Sequence, residues 1–249
     1  MRGKRQVMPL ANNALLLALG PADLAAIIER VRPIPLEMGL MLGEIGFPID
    51  QVVFPTSGLV SVVAELASGE RIEAAVTGRS GVVGAPIALG AKTHISTSFV
   101  QMPGSGLVMH AADFVDFTMQ RPAARELFFR HEQYLMAQAQ QSVACNARHQ
   151  VAMRLATWLV RARDGAEQLN LQLTQEFLAQ MLGVQRASVS LVAAQLQSEG
   201  LIRYRRGQIE ILNEKKLVER ACECCQTVRM QYRQIFGVEN SSELAESAP

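Results

Sequence analysis

Four arginines cluster in the C-terminal third of the chain, at Arg186, Arg203, Arg205 and Arg206. A guanidinium group donates hydrogen bonds in a planar fork that matches phosphate oxygens and the O6 and N7 atoms of guanine. Such side chains could therefore recognise a nucleic acid. Whether they can act together depends on the elements that position them.

The residues around Arg186 have the spacing of two short helices joined by a glycine turn. Thr174 can cap the first helix, and Gly183 can end it because glycine adopts a left-handed conformation without a side-chain clash. A second helix begins at about Arg186. The predicted buried positions, spaced three and four apart, are Leu178, Met181 and Leu182 in the first helix and Val189, Val192 and Leu196 in the second. The outer face of the second helix would carry Arg186, Ala187, Ser190, Leu191 and Ala194.

A hairpin is predicted directly after the second helix, which Gly200 would cap. The alternating runs 201–204 and 209–212 face each other across Arg205-Arg206-Gly207-Gln208, as the strands of a hairpin do. This wing would hold Arg203, Arg205 and Arg206 beside the second helix, where guanidinium groups can pair with phosphates.

The segment L-T-Q-E-F-L-A-Q-M-L-G-V-Q-R-A-S-V-S-L-V-A-A-Q-L-Q-S-E-G-L-I resembles the winged helix-turn-helix of the bacterial catabolite activator and fumarate-nitrate-reduction regulator (CRP/FNR) superfamily. Upstream, the resemblance rests on the order of elements and on scattered glycines. It implies a sequence-specific DNA-binding transcription regulator, not an enzyme, that acts as a homodimer. The implied partners are a palindromic double-stranded operator and RNA polymerase.

By this resemblance, Arg186 corresponds to the family's leading base-contacting arginine. The family's usual glutamate and second arginine fall on Ala187 and Leu191, so we expect a different operator, with apolar contact to thymine methyl groups as a substitute. The other residues expected to contact base edges or phosphates are Thr174, Gln185, Ser188 and Ser190 and the wing residues Arg203, Arg205 and Arg206.

The charge distribution favours this reading. The net charge of the chain is only +1, but residues 145–206 hold eight arginines against four acidic residues. Residues 1–144 and 207–249 are slightly acidic by comparison. Positive charge is therefore concentrated around the two predicted helices and the wing, which indicates salt-sensitive binding to phosphates.

The N-terminal half has a sequence pattern that is typical of a jelly roll, with short β-like runs separated by glycine and proline. A short helix from Pro21 to Val31 precedes them. The predicted strands are 40–42, 52–54, 59–66, 71–76, 97–100 and 107–110. The fold class is thus α+β, and this block is similar to the cyclic-nucleotide-binding domain of the same superfamily.

The resemblance also locates a candidate effector site at Gly81, Gly84 and Ser96. In ligand-binding relatives a glutamate holds a ribose hydroxyl and an arginine neutralises the cyclic phosphate, but here Val82 and Ile95 stand in those places. A buried phosphate without a cation is costly, so cyclic AMP is not the expected effector, and no cofactor is predicted.

Three alternatives remain open for this domain. Lys92 or Arg79 could supply the missing charge from an altered loop, or the domain could be a ligand-free scaffold for dimerisation. It could also be a cupin-like enzyme, with the winged helix as a protein-interaction module. A cupin binds its metal through an H-x-H pair, whereas the four histidines here form none: His94, His110, His131 and His149.

A long helix is predicted over 125–144, ahead of a hinge at Cys145-Asn146-Ala147 and of a further helix from Arg148 to Arg163. The resemblance implies that the long helix pairs with its copy in a dimer. The alternative is a helix packed on its own domain. Its proposed seam consists of Leu127, Tyr134 and Gln141, seven apart, with Phe128 and Leu135 in the adjoining register.

These patterns divide the chain into four parts. They are a jelly-roll domain at 1–122, a dimerisation helix at 123–145, a winged helix-turn-helix domain at 146–237 and a disordered tail at 238–249. No apolar run is long enough for a membrane span, and the start lacks an export signal, so we expect a cytoplasmic protein.

The four cysteines are Cys145, alone, and Cys222, Cys224 and Cys225 together. The C-E-C-C group lacks the paired spacing of zinc sites and has no histidine near it in the sequence. We therefore expect buried or bystander thiols and no metal.

Overall fold

The computed structural model describes residues 12–166 and 169–237, and the tail predicted at 238–249 lies outside them. The N-terminal half contains seven strands: β1 (Arg32–Leu36), β2 (Met41–Gly43), β3 (Gln51–Pro55), β4 (Leu59–Glu65), β5 (Arg71–Thr77), β6 (Thr97–Met102) and β7 (Gly104–His110). They form two antiparallel sheets, in the orders β1-β7-β3 and β2-β6-β4-β5. The jelly roll expected from the sequence is confirmed as the N-terminal part of an α+β fold.

The two sheets share a small aliphatic core. Alternate residues of a strand point to one face, so apolar side chains at every second position meet between the sheets. Val53 and Val108 come from one sheet and Val60 and Val100 from the other. Strand β1 contains two prolines and lies at a sheet edge, where a missing N–H donor is tolerated.

Helices cover the outer side of the first sheet. They are α1 (Ala14–Leu17), α2 (Pro21–Ile28), a 3₁₀ helix (Ala85–Leu89), α3 (Ala111–Gln120) and the long α4 (Pro122–Arg148). Three buried rings anchor α3 and α4 to β3, with centroid distances of 6.1 Å for Phe54–Phe114, 5.9 Å for Phe54–Phe128 and 4.9 Å for Phe114–Phe128. The N-terminal half of α4 is thereby fixed on the jelly roll.

The C-terminal half consists of α5 (Val151–Ala166), β8 (Asn170–Gln172), α6 (Gln175–Leu182), α7 (Arg186–Ser198), β9 (Ile202–Arg205), β10 (Gln208–Ile211), α8 (Glu214–Arg220) and α9 (Cys224–Phe236). Strands β8, β10 and β9 form a three-stranded antiparallel sheet in that order. The winged helix-turn-helix predicted from the sequence is therefore present, with one strand, β8, in addition to the predicted hairpin.

The seam predicted on α4 is wrong, because those residues face the same chain. Tyr134 is buried against Tyr232 of α9, with ring centroids 5.1 Å apart, and Phe128 lies in the aromatic group on β3. Gln141 donates to the Cys224 sulfur over 3.0 Å. The C-terminal helix α9 thus covers the side of α4 that the sequence assigned to a second copy.

The hinge predicted at Cys145–Ala147 is also misplaced. These residues continue the helix, whose last hydrogen bonds include His149 N to Cys145 O at 3.0 Å. The helix ends at Arg148, and the next one begins at Val151. Cys145 is buried against Cys222 and Cys224, so tertiary packing fixes this end of the helix.

One apolar core joins the two halves. Leu59 and Val63 of β4 are buried in the same group as Leu155 and Leu159 of α5. Phe99 of β6 also meets Phe177 of α6 edge to face, with centroids 6.4 Å apart. The helix-turn-helix is consequently packed against the second sheet of the jelly roll.

Within the described ranges, no single helix has the length and apolar character to cross a membrane. The bent pair formed by α6 and α7 meets those criteria only when its two helices are taken together.

Candidate nucleic-acid interface

The turn between α6 and α7 follows from a cap at each end of α6. The Thr174 hydroxyl oxygen accepts the Phe177 N–H at 3.1 Å, which satisfies one of the free donors at the helix start. Gly183 ends the helix with φ 60°, a left-handed conformation that favours glycine. The chain bends by 111° between the two helices, within the range of a helix-turn-helix.

The apolar face of α7 is buried as predicted, at Val189, Val192 and Leu196. The opposite face is open to solvent, and the Leu191 side chain is 74% exposed. This exposed leucine provides an apolar surface suited to contact with a methyl group. The predicted outer residues Arg186, Ala187 and Ala194 are exposed as well.

Arg186 is the first residue of α7, and its side chain is 67% exposed. Its Nε lies 4.0 Å from a Glu176 carboxylate oxygen, a long contact between exposed groups that contributes little energy. A cleft of about 790 Å³ separates this end of α7 from the tip of the β4–β5 hairpin, at residues 68–72. The Arg186 guanidinium is therefore accessible to a ligand that approaches along α7.

The polar candidate residues near Arg186 differ in their solvent exposure and in their hydrogen bonds. Gln185 is the N-cap residue of α7 and is exposed, whereas Ser188 is half-buried. The Ser190 hydroxyl is 2.5 Å from Gln175 Oε1 and 3.0 Å from the Arg186 carbonyl oxygen, so it ties α7 to α6. The structure thus gives Ser190 a positioning contact, which the sequence pattern did not reveal.

The wing turns more tightly than predicted. Arg205 and Gln208 are paired strand residues, so the turn consists only of Arg206, with φ 49°, and Gly207, with φ 79°. Two residues with positive φ form the turn that matches the twist of a hairpin. The connection predicted over four residues is therefore corrected to two, and the guanidinium-bearing Arg206 stands at the tip.

The wing tip is attached to the start of α6. Leu173 donates its N–H to the Gly207 carbonyl oxygen at 2.7 Å, one residue before the cap Thr174. Strand β8 adds a third strand to the hairpin, through pairs such as Ile209 with Leu171. This missed strand has only three residues, too few to show an alternating pattern.

The three wing arginines are not equivalent. Arg203 forms an ion pair with Glu210 of the neighbouring strand, at 2.6 Å, so a carboxylate already balances its charge. Arg205 and Arg206 are exposed. Of the residues predicted to contact DNA, the structure brings Arg206 close to Thr174, through the Leu173–Gly207 hydrogen bond, and Gln185 next to Arg186 on α7.

The candidate effector residues lie in a more closed environment. A Cβ atom at Gly81 would lie 1.8 Å from Thr77 Oγ1 and 2.5 Å from His131 Nε2, so these side chains already fill the space beside this glycine. Val82 is buried in the helix-covered core, and Gly84 has φ 88°. His131 is thus a packing residue of this loop, a role that the sequence did not predict.

The third candidate effector residue lies on a different segment. Ser96 is half-buried in the bend before β6, and its neighbour Ile95 is 82% exposed. The side chain in the family's arginine position therefore points to solvent.

Comparisons with known proteins agree with this geometry. Residues 153–220 match the family model of the Crp-like helix-turn-helix domain. Residues 153–220 therefore form a Crp-like helix-turn-helix domain. No curated protein matches it.

Several solved structures share the fold of this chain. FixK2 from Bradyrhizobium japonicum is 16% identical, with 77% of this chain and 98% of that chain covered and a TM-score of 0.65. A putative transcriptional regulator of the crp/fnr family from Eubacterium rectale is 16% identical, with coverage of 84% and 98% and a TM-score of 0.66. The c-di-GMP responsive global regulator CLP of Xanthomonas campestris is 14% identical, with coverage of 78% and 100% and a TM-score of 0.65.

Proposed function

We propose that this chain is a CRP/FNR-like regulator that binds a palindromic double-stranded DNA operator as a homodimer and thereby regulates transcription. The observation that carries the proposal is the shared attachment of α7, the α6 cap and the wing. The Leu173–Gly207 hydrogen bond holds the wing tip beside the α6 start, and the Ser190–Gln175 bond holds α7 on α6. A helix and a basic ribbon held in one frame can contact a groove and the flanking backbone together.

The two sets of contacts have different tasks. Arg186, at the exposed start of α7, would donate to guanine O6 and N7, and Leu191 would lie against a thymine methyl group. Gln185 and Ser188 would reach base edges or phosphates next to it. Arg205, Arg206 and the backbone N–H of Thr174 would bind phosphates, which fixes the position of the domain on the duplex without reading its sequence.

A different face of α4 supports the dimer. The positions Phe129, Met136 and Val143 are seven apart, and the side chains of Met136 and Val143 are 64% and 71% exposed. Each is followed four residues later by Gln133, Gln140 or Ala147. This stripe has the spacing of a coiled-coil seam, in which polar residues set the register at some cost in stability.

The signal would pass through packed contacts. The jelly roll holds the start of α4 through Phe128 and contacts the helix-turn-helix through the Phe99–Phe177 pair. A change in the jelly roll can therefore alter the placement of α7. Cyclic AMP is not the proposed effector, because a buried valine and an exposed isoleucine stand where the family has its glutamate and arginine.

We favour a regulator without catalytic activity. The cupin-like alternative would need an H-x-H metal motif, which the sequence does not contain. RNA polymerase is the proposed protein partner, and the place of action would be the bacterial cytoplasm, where the chromosome is.

The proposal is tested by incubating the purified full-length chain with fragmented genomic DNA and sequencing the bound fraction at several salt concentrations. A palindromic motif with half-sites about one helical turn apart is expected, with binding that weakens steeply as salt rises. A protein-interaction module would enrich no motif, and recovery independent of salt would contradict phosphate recognition.

A further inference from the structure

Four soft ligand atoms converge at the junction of α4, α5 and α9. They belong to Cys145 near the end of α4, His149 directly after α4, Cys222 between α8 and α9, and Cys224 at the start of α9. Their ligand atoms all lie within 4.8 Å of one another, and the three cysteines are buried. We propose that these four residues form a binding site for a single Zn²⁺ ion.

The spacing of the donor atoms suits a tetrahedral ion. Bonds of about 2.3 Å to sulfur and about 2.0 Å to nitrogen place two ligand sulfurs about 3.8 Å apart and a sulfur and a nitrogen about 3.5 Å apart. The Cys145 and Cys222 sulfurs are 3.6 Å apart, and the Cys224 sulfur is 3.5 Å from His149 Nδ1. Both distances match edges of a Cys₃His tetrahedron, which is a common structural zinc set.

The orientation of His149 is fixed by a carboxylate outside the group. Its Nε2 lies 3.1 Å from a Glu223 oxygen, so Nε2 carries the proton and donates it to the carboxylate. Nδ1 is then the unprotonated nitrogen, and it is the atom that faces the sulfurs. A metal-binding histidine typically donates its other N–H to a carboxylate in this manner.

The sulfurs receive donors of the kind that stabilise thiolates. Gln141 donates its amide N–H to Cys224 Sγ at 3.0 Å, and the Thr157 hydroxyl is 3.0 Å from Cys222 Sγ. Hydrogen bonds to coordinating sulfurs are typical partners of a metal site. Arg154 lines the same cavity as Cys145 and Cys224, so its guanidinium adds a positive charge beside the group.

The donor set selects the metal class. Three thiolates and one imidazole favour Zn²⁺ over the hard cations Mg²⁺ and Ca²⁺, which prefer oxygen. All four positions of the tetrahedron are taken by protein atoms, which is the arrangement of a structural rather than a catalytic site. Such an ion would hold the α8–α9 connection against the end of α4. Arg154 links this junction to α6, because its guanidinium donates a hydrogen bond to the Leu182 carbonyl oxygen.

The test uses the full-length chain with reduced thiols and either ZnCl₂ or CoCl₂. We expect one metal ion per chain by elemental analysis, and a cobalt spectrum with intense visible bands of tetrahedral geometry and thiolate charge-transfer bands in the near ultraviolet. C224S abolishes this spectrum, whereas C225S, which changes a buried neighbouring cysteine outside the group, retains it.

A second variant does not depend on a buried substitution. Glu223 is largely exposed, and E223Q removes only the carboxylate that orients His149, so the zinc affinity should fall about 10–100-fold with the fold intact. The proposal is overturned if the reduced wild-type chain binds no zinc, or if its cobalt spectrum lacks thiolate bands. Equal loss of metal in C225S and C224S, or a Cys145–Cys222 disulfide formed in the presence of zinc, would also overturn it.

Discussion

Gln197 of α7 accepts the backbone N–H of Tyr204 in β9 through its side-chain oxygen, at 2.7 Å. The C-terminal end of α7 is thereby joined directly to the base of the wing. We expect Q197A to lower the free energy of unfolding by about 0.5–1.5 kcal/mol, the usual net value of one hydrogen bond. Chemical denaturation measures this, and Q180A, the same substitution at an exposed glutamine of α6, serves as the control. An equal loss in both variants would show that the bond to Tyr204 is not responsible.

The proposed DNA contacts are of two kinds, those that depend on the base sequence and those that do not. We expect R186A to lose about 1–3 kcal/mol of binding free energy on the preferred operator and to relax specificity at one base pair. R205A should weaken binding to every duplex alike and reduce the salt dependence, since its partner would be a phosphate. Titrations on matched and single-mismatch duplexes distinguish the two. Equal losses for both variants on every duplex would count against Arg186 as a base-reading residue.

The exposed stripe on α4 predicts self-association that single charges can disrupt. M136K or V143K places an ammonium group in the seam and removes apolar contact area, so dimer affinity should fall about tenfold or more. M119K is the matched control, because Met119 is 65% exposed on α3, away from the stripe. Analytical ultracentrifugation measures the dissociation constant. If M119K weakens the dimer as much as M136K, the interface lies elsewhere.

The buried carboxyl of Glu73 predicts a pH-dependent stability. Desolvation raises the pKa of Glu73 from 4.5 to about 7, despite the opposing effect of Arg161. Ser61 Oγ lies 2.9 Å from this carboxyl and 2.7 Å from Gln101 Oε1, and its single proton can serve only one of them. The neutral acid, which can donate its own proton, is therefore favoured in the folded state.

The sign of the effect follows from where the proton is held. Between pH 4.5 and pH 7 the folded chain retains the Glu73 proton that the unfolded chain releases, so the free energy of unfolding falls as pH rises through this window. E73Q should remove this slope and stabilise the protein at pH 8 by up to about 3 kcal/mol. Unfolding curves measured across this range test it, with the exposed E70Q as control. An unchanged slope in E73Q would refute the assignment.

Local signals were sufficient to predict the helix-turn-helix. The Thr174 cap and the Gly183 turn act within a few residues, and both are found in the structure. The wing was predicted for the same reason, although its turn was placed over too many residues. Strand β8 was not predicted, because it is short and is stabilised by pairing with β10, which lies far along the chain.

Contacts between distant segments were beyond the reach of sequence patterns. The seam assigned to Tyr134 is covered by Tyr232, and a heptad spacing does not tell which helix provides the cover. The group around Cys145 joins residues more than seventy positions apart, so no motif spacing could reveal it. His149 enters that group only because α4 ends where the α8–α9 connection passes.

The core shared by Leu59, Val63, Leu155 and Leu159 restricts movement of the two halves of the chain relative to each other. Moving the helix-turn-helix away from the jelly roll would expose these side chains to water and separate Phe99 from Phe177. A ligand shifts such an equilibrium only by the difference between its affinities for the two arrangements. Any ligand with similar affinities for the two arrangements would therefore leave the helix-turn-helix docked. The apolar contact between the halves would set the affinity difference that is needed to release it.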